Sequence, residues 1–195
     1  LGTIGKYVAH QLDIPAIHTY HTMYEDYLHY ILNGHLLRPY HVKQFVKSYL
    51  KNMDGCIAPS GRVEELLRRY GVQIPIRVIP TGVDIQSMNR DADRDVRKDL
   101  GIDKDAPVIL TLSRIAAEKK INHILNVLPA IIDEIPNVKF VIAGDGPDVK
   151  VLQEQVERLT LEDYVIFAGN VDHGDVGNYY RMADIFVSAS DTETQ

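Results

Sequence analysis

Four short runs rich in β-branched residues constrain the fold more than anything else in the chain: "PVILTLS", "VKFVIAG", "YVIFAG" and "DIFVSAS". None alternates strictly between apolar and polar residues, so each presents apolar side chains on both sides of its pleat. Such strands belong in a parallel sheet covered by helices on both faces. The segments between them, "KKINHILNVLPAIIDEIP", "VKVLQEQVERL" and "DVGNYYRMA", have helical patterning and supply the crossovers. The first half of the chain alternates in the same way. "IGKYVAHQL" reads as helix, "IPAIHTYH" as strand, and a basic amphipathic helix follows near "LLRPYHVKQFVKSYLKNM". Strand "GCIAPS", helix "GRVEELLRRYGV" and strand "IPIRVIP" complete that half. "TGVDIQSMNRDADRD" has weak periodicity and reads as a linker. The expected architecture is two doubly wound α/β units joined near residues 81–90, with domains 1–85 and 86–195. Ligands are expected where strand carboxyl ends open into loops.

Charge also divides the chain. Residues 1–85 carry 9 Lys and Arg against 7 Asp and Glu, and residues 86–195 carry 12 against 20, which together make the net charge of -6. Six of the eight histidines fall in the first 41 residues. An acidic second half argues against nucleic-acid binding, because tracking phosphates needs clustered Lys and Arg. The single cysteine, Cys56, permits no internal disulfide, fits a reducing compartment, and sits in an apolar run as a small buried hydrophobe. No apolar stretch approaches the ~20 residues of a membrane helix. A start at Leu1 inside a helix-like pattern, and a stop just after Glu193, give the expectation of an internal fragment.

Several segments carry residues suited to chemistry. In "TLSRIAAEKK", Arg114 and Lys119 lie just past a strand end, where an Arg fork and a Lys point charge can clamp a diphosphate. Ordinary charges on a solvated loop are the alternative. In "IAGDGPD", Gly144 and Gly146 suit a tight turn, but Val149 stands where a dinucleotide fingerprint needs its third glycine. "HTYHTMYEDYLHY" clusters His18, His21, Glu25, Asp26 and His29 among tyrosines. His21 and Glu25 on one helical turn raise a metal site, but a polar rim facing a cleft suits a segment after a strand better, with His21 best placed to reach a ligand. In the helix at 36–53, Val42, Phe45, Val46, Tyr49, Leu50 and Met53 form one apolar face. Arg38, Lys43, Lys47 and Lys51 form a cationic stripe that suits either an anionic membrane surface or plain solvent.

Taken in order, "VIPTGVD", "LSRIAAEKK", "IAGDGP", "VIFAGNV" and "ADIFVSASDTETQ" resemble the retaining nucleotide-sugar glycosyltransferases of family four, which have the GT-B fold. "HTYHTMYEDYLHYI" and "TETQ" look most like the bacterial diacylglycerol glucosyltransferases of that family. The resemblance implies a GT-B fold of two Rossmann-like domains, both incomplete in this fragment. Arg114 and Lys119 resemble the pair that neutralises the leaving diphosphate, so no metal is implied. Glu193 matches the first of a glutamate pair and is expected to contact the donor sugar, with its partner falling beyond Gln195. His21 resembles the acceptor-domain histidine that approaches that sugar. Gly144 and Gly146 resemble the loop beneath the nucleotide, and Gly169, Asn170 and Val171 follow the strand where the base is cradled.

The implied activity is transfer of glucose from UDP-glucose to diacylglycerol with retention. The implied location is peripheral, on the cytoplasmic face of the membrane. Nucleotide sugar enters as substrate, and no cofactor is expected. Alternatives are a GDP-mannose-dependent mannosyltransferase acting on another lipid or a soluble glycan, and a noncatalytic partner with the same fold. A nicotinamide-dependent oxidoreductase is disfavoured by the incomplete glycine fingerprint. The 195-residue piece by itself is expected to be inactive.

Overall fold

The computed structural model describes residues 2–24, 39–88 and 94–194. The chain forms two compact units, Leu1–Gly82 with Thr192–Gln195, and Val83–Asp191.

In the first unit, β1 (Ile17–Thr19), β2 (Gly55–Ala58) and β3 (Ile76–Val78) form a parallel sheet in the order β1-β2-β3. The described helices are α1 (Gly2–Gln11), α2 (Pro39–Leu50) and α3 (Gly61–Arg69). Helix α3 starts where the Ser60 hydroxyl accepts from Val63 N at 3.4 Å. It carries Glu64 in its first turn and Arg68 and Arg69 in its last, each complementing the helix dipole. Val63, Leu66 and Leu67 share one side of it and are buried. Beyond the helix, Gly71 takes φ +81 while Val72 N bonds back to Leu67 O at 3.1 Å, a left-handed stop that glycine adopts without strain.

Helix α2 buries Val42, Val46 and Leu50, but the expected apolar face is too wide. Phe45 is 62% exposed, because a position one residue before Val46 is turned about 100° away from it. It stacks on Tyr49 instead, at 6.1 Å between ring centroids. Helix α1 has no buried residue. Cys56 is buried as expected, and burial pushes its thiol up to about 11 against the opposing pull of Arg68.

In the second unit, β4 (Val108–Leu112), β5 (Lys139–Ala143), β6 (Val165–Gly169) and β7 (Ile185–Phe186) are all parallel, in the order β6-β5-β4-β7. Along β5 the pleat sends Phe140 and Ile142 into one core layer, with Leu125, Leu128 and Val156. Val141 and Ala143 enter the opposite layer, with Val96, Tyr179 and Met182. Both faces of the sheet are therefore covered at its centre, by α6 (Ile121–Glu134) and α7 (Val149–Arg158) on one side and α8 (Val176–Met182) on the other.

Coverage fails at β7, an edge strand on which Ile185 and Phe186 are exposed. Polar contacts hold it there. Asp184 Oδ2 accepts from Val108 N at 2.7 Å and from Arg97 Nη2 at 2.9 Å. The stretch expected to be a linker contains one short helix, α4 (Ile85–Met88), and a second, α5 (Val96–Asp99), begins directly after it. Asp95 caps the second by accepting from Lys98 N at 3.1 Å, and Val96 enters the core.

Gly144 and Gly101 both have positive φ but differ in their surroundings. A Cβ on Gly144 would meet Ser113 O at 1.9 Å, whereas one on Gly101 would meet nothing within 4 Å. Gly101→Ala is expected to cost about 1 kcal/mol, the backbone strain alone, and Gly144→Ala well over about 2 kcal/mol. Chemical denaturation of both variants checks this, and equal losses would refute the steric account.

Candidate functional site

Numbered within the second unit, its strands run 3-2-1-4. The order reverses between β4 and β7, so the crevice of this doubly wound sheet opens beyond the carboxyl ends of those two strands. The segment leaving β4 carries Arg114 and Lys119, and the segment leaving β7 leads through Asp191 towards Glu193.

The β4 loop is held by its neighbour along both flanks of Arg114. Ser113 N donates to Ala143 O at 3.1 Å, Ile115 N donates to Asp145 O at 2.8 Å, and Asp148 N donates back to Ile115 O at 3.2 Å. This lacing brings backbone against backbone. A Cβ on Gly146 would lie 2.1 Å from Ile115 O, as one on Gly144 would strike Ser113 O. Gly144 N in turn donates to Gly169 O at 2.7 Å, tying in the loop after β6. Both glycines thus have a packing reason that turn chemistry alone did not reveal. Gly169 takes φ +72 and is exposed, Asn170 is exposed, and Val171 packs against the second core layer.

Arg114 projects to solvent, with 54% of its side chain exposed, and pairs through Nη2 with Oε1 of Glu118 one turn on, whose side chain is only 2% exposed. Lys119 closes a short 3₁₀ turn, Ala117–Lys119, and is half-buried. Lys120 follows in the left-handed region at φ 52, where non-glycine residues are uncommon, and its ammonium lies 3.6 Å from Asp191 Oδ2. That pair bridges the segments leaving β4 and β7. Nothing in the sequence singles out Glu118 or Lys120. The string "AEKK" resembles any solvated charged turn, and neither burial nor backbone sign shows in it.

In the first unit, His21 is exposed just beyond β1. His18 is half-buried, meeting the ring of Tyr49 edge-on at 5.2 Å and that of Tyr20 at 6.4 Å. These rings and Phe45 line a cavity of about 370 Å³. Glu25, Asp26 and His29, and with them the metal considered at His21 and Glu25, lie outside the described residues, as does Arg38. Among the described residues no group of three or more His, Cys, Asp or Glu is placed to hold a metal ion. On α2, Lys43 is half-buried, while Lys47 and Lys51 are exposed. A Cβ on Gly71 would lie 3.3 Å from the Lys47 ammonium, which therefore reaches across the turn after α3. Glu193 is exposed and belongs to the terminal segment grouped with the first unit, where Ser60 Oγ donates to Thr194 O at 2.5 Å.

Two Rossmann-like units with parallel sheets make this a GT-B fold. Sucrose-phosphate synthase from Thermosynechococcus elongatus superposes with a TM-score of 0.78 at 26% identity, over 100% of this chain and 49% of that one. Anabaena HepE in complex with UDP and glucose superposes at 0.74 and 22% identity, over 97% and 50%.

Residues 92–194 match the family Glycosyl transferases group 1, and residues 1–87 match Glycosyltransferase Family 4. The chain belongs to the group 1 glycosyl transferases. Alpha-monoglucosyldiacylglycerol synthase from Streptococcus pneumoniae is 44% identical over all of this chain and 45% of its own length. The protein of that name from Acholeplasma laidlawii is 32% identical, over all of this chain and 52% of its own length. The chain thus spans about half the length of these relatives.

Burial, and secondarily the charge of His21, lowers the pKa of His18 below its ordinary value of 6.5. The folded state therefore favours the neutral ring. Its contribution to stability is fully present above that ordinary value and is lost as pH falls through the lowered one. Between about pH 7.5 and about pH 5, the wild type is expected to lose more thermal stability than His18→Gln. Equal losses in paired melts would show that His18 carries no such linkage.

Proposed function

We propose that the full-length protein containing this chain transfers glucose from UDP-glucose to diacylglycerol with retention of anomeric configuration. The observation that carries this reading is the 44% identity, across the entire chain, to a relative named alpha-monoglucosyldiacylglycerol synthase. The switch-point crevice supports it, because Arg114 and Lys119 stand on the loop leaving its central strand.

In this reading Arg114 and Lys119 bind the donor diphosphate and stabilise the negative charge that grows on it as the sugar departs. The lacing between the β4 and β5 loops holds Arg114 at a set height, so little reorganisation accompanies the reaction. Gly144 and Gly146 keep the floor beneath the nucleotide free of side chains, and the backbone at Gly169, Asn170 and Val171 faces the base. Glu193 binds the sugar hydroxyls, and His21 approaches the sugar from the acceptor side. The phosphate oxygen of the leaving group, held by the two cations, takes the proton of the attacking hydroxyl. Metal has no part in this scheme.

The acceptor places the enzyme at a membrane. No helix among the described residues is long and apolar enough to cross one. The reading is therefore of peripheral association with the anionic cytoplasmic face, through Arg38, Lys43, Lys47 and Lys51.

The direct test supplies the full-length protein with diacylglycerol in anionic liposomes and with labelled UDP-glucose or GDP-mannose in parallel. Labelled lipid is expected from UDP-glucose alone. Label from GDP-mannose would move the donor assignment, and no labelled lipid from either would overturn the acceptor. Arg114→Ala and Lys119→Ala should each lower turnover by roughly 10²–10³, and near-normal turnover in both would remove the diphosphate role. Liposome association should weaken with added salt and be lost when Lys43, Lys47 and Lys51 are changed to Glu. Salt-insensitive association would return that stripe to a solvated surface.

A further inference from the structure

Among the charged residues of the second unit, Glu118 is anomalous. At 4% exposure it is the one carboxylate among the buried polar and charged residues described. Taking a carboxylate out of water is costly and is tolerated where the charge is paired and hydrogen-bonded. The pairing here is lopsided, since Arg114 across the bond has 54% of its side chain exposed. A structural ion pair buries both members, and a surface pair leaves both wet. A buried acid bonded to an exposed cation does something else: it ties the end of the guanidinium to the protein while about half of that side chain stays exposed.

Arginine is the residue for which that grip matters most. Its donors lie in one rigid plane, and recognition of a phosphate depends on how the plane is set. Bonds from the backbone on either side already fix the start of the side chain, through Ser113 N to Ala143 O and Ile115 N to Asp145 O. Glu118 fixes its far end. Its own place is set by the 3₁₀ turn Ala117–Lys119, closed where Lys119 N donates to Ala116 O at 2.9 Å.

We propose that Glu118 is a positioning residue that sets the Arg114 guanidinium for the diphosphate of the nucleotide-sugar donor. The proposal rests on the diphosphate role of Arg114 given above. Glu118 is too deeply buried to touch the donor, so its effect passes through Arg114. Its removal should weaken donor handling and leave the acceptor alone.

The test is a double-mutant cycle in the full-length protein, using Glu118→Gln, Arg114→Ala and the double variant. The readouts are kcat/KM for UDP-glucose, inhibition by UDP, and KM for diacylglycerol. Glu118→Gln keeps the shape of the buried group and should lower donor kcat/KM and weaken UDP inhibition, each by roughly 10- to 100-fold. The acceptor KM should not change. In the Arg114→Ala background the same substitution should change donor kcat/KM by less than about 2-fold, because its route is already gone. Wild-type donor kinetics in Glu118→Gln, or losses that multiply in the double variant, would overturn the proposal while leaving the role of Arg114 standing. Unchanged kinetics in Arg114→Ala would bring down the diphosphate role and this proposal together. Should Glu118→Gln melt early, Glu118→Asp keeps the buried charge but withdraws it by a methylene. Loss of donor kinetics at normal thermal stability in that variant supports positioning, and normal kinetics would overturn it.

Discussion

The carbonyl oxygens of Ser113 and Ile115 occupy the space where side chains on Gly144 and Gly146 would begin, and the second unit depends on that contact. Two loops leaving adjacent parallel strands ordinarily diverge, each hydrogen-bonding to water. Here they are laced by donors from Ser113, Ile115 and Asp148. The lacing takes the backbone around Arg114 out of the usual mobility of loops. It requires glycine at both positions, and at Gly144 it also requires φ +131, a conformation that L side chains rarely adopt. The loop after β6 joins the same set through Gly144 N and Gly169 O. Three consecutive strand ends thus carry one continuous backbone floor beside the crevice.

Much of this was legible because it is written locally. The β4, β5 and β6 runs lack polar alternation, and a strand buried on both faces leaves that mark whatever surrounds it. Arg114 and Lys119 follow the first of these runs directly, so their place at a strand end was readable as well. What was not legible depends on distant partners. The exposure of Ile185 and Phe186 depends on which helices cover that edge of the sheet, which a repeating strand–helix pattern does not specify. Helix α5 is four residues long, too short for a period, and its signal was the Asp95 cap alone. Phe45 reads as part of the core face because a one-residue shift in helical phase is invisible among adjacent apolar residues. The need for Gly144 and Gly146 is set by carbonyls some thirty residues earlier in the chain. A turn signal within seven residues cannot contain it.

Glu118 and Lys120 show a further reason for illegibility. Both are charged residues in a short turn, and composition assigns such residues to solvent. One is the most shielded charge among the described residues, and the other takes a left-handed backbone close by. Unusual backbone and buried charge carry a cost, and they persist where the surrounding structure enforces them. Here the enforcement comes from the 3₁₀ turn and from the start of α6. The concentration of these exceptions within seven residues, Arg114 to Lys120, separates this loop from the unit's other strand ends.

That concentration bears on how an acidic half-chain can attract an anion. Residues 86–195 carry 12 basic residues against 20 acidic, so their overall field repels a diphosphate. Screening limits the reach of that field to about 8 Å at physiological ionic strength, and the local arrangement decides the outcome. Locally, Arg114 is already matched by Glu118, and Lys120 lies close to Asp191. Under the proposed function the first pair adds little net charge and contributes orientation instead, a guanidinium plane set in advance. Lys119 is in that reading the second cation of the pair, a compact ammonium. The two cations are then not redundant copies of one another, because a guanidinium recognises phosphate through its planar fork and an ammonium as a point charge. In that reading a diphosphate is held on an acidic surface without a broad positive patch.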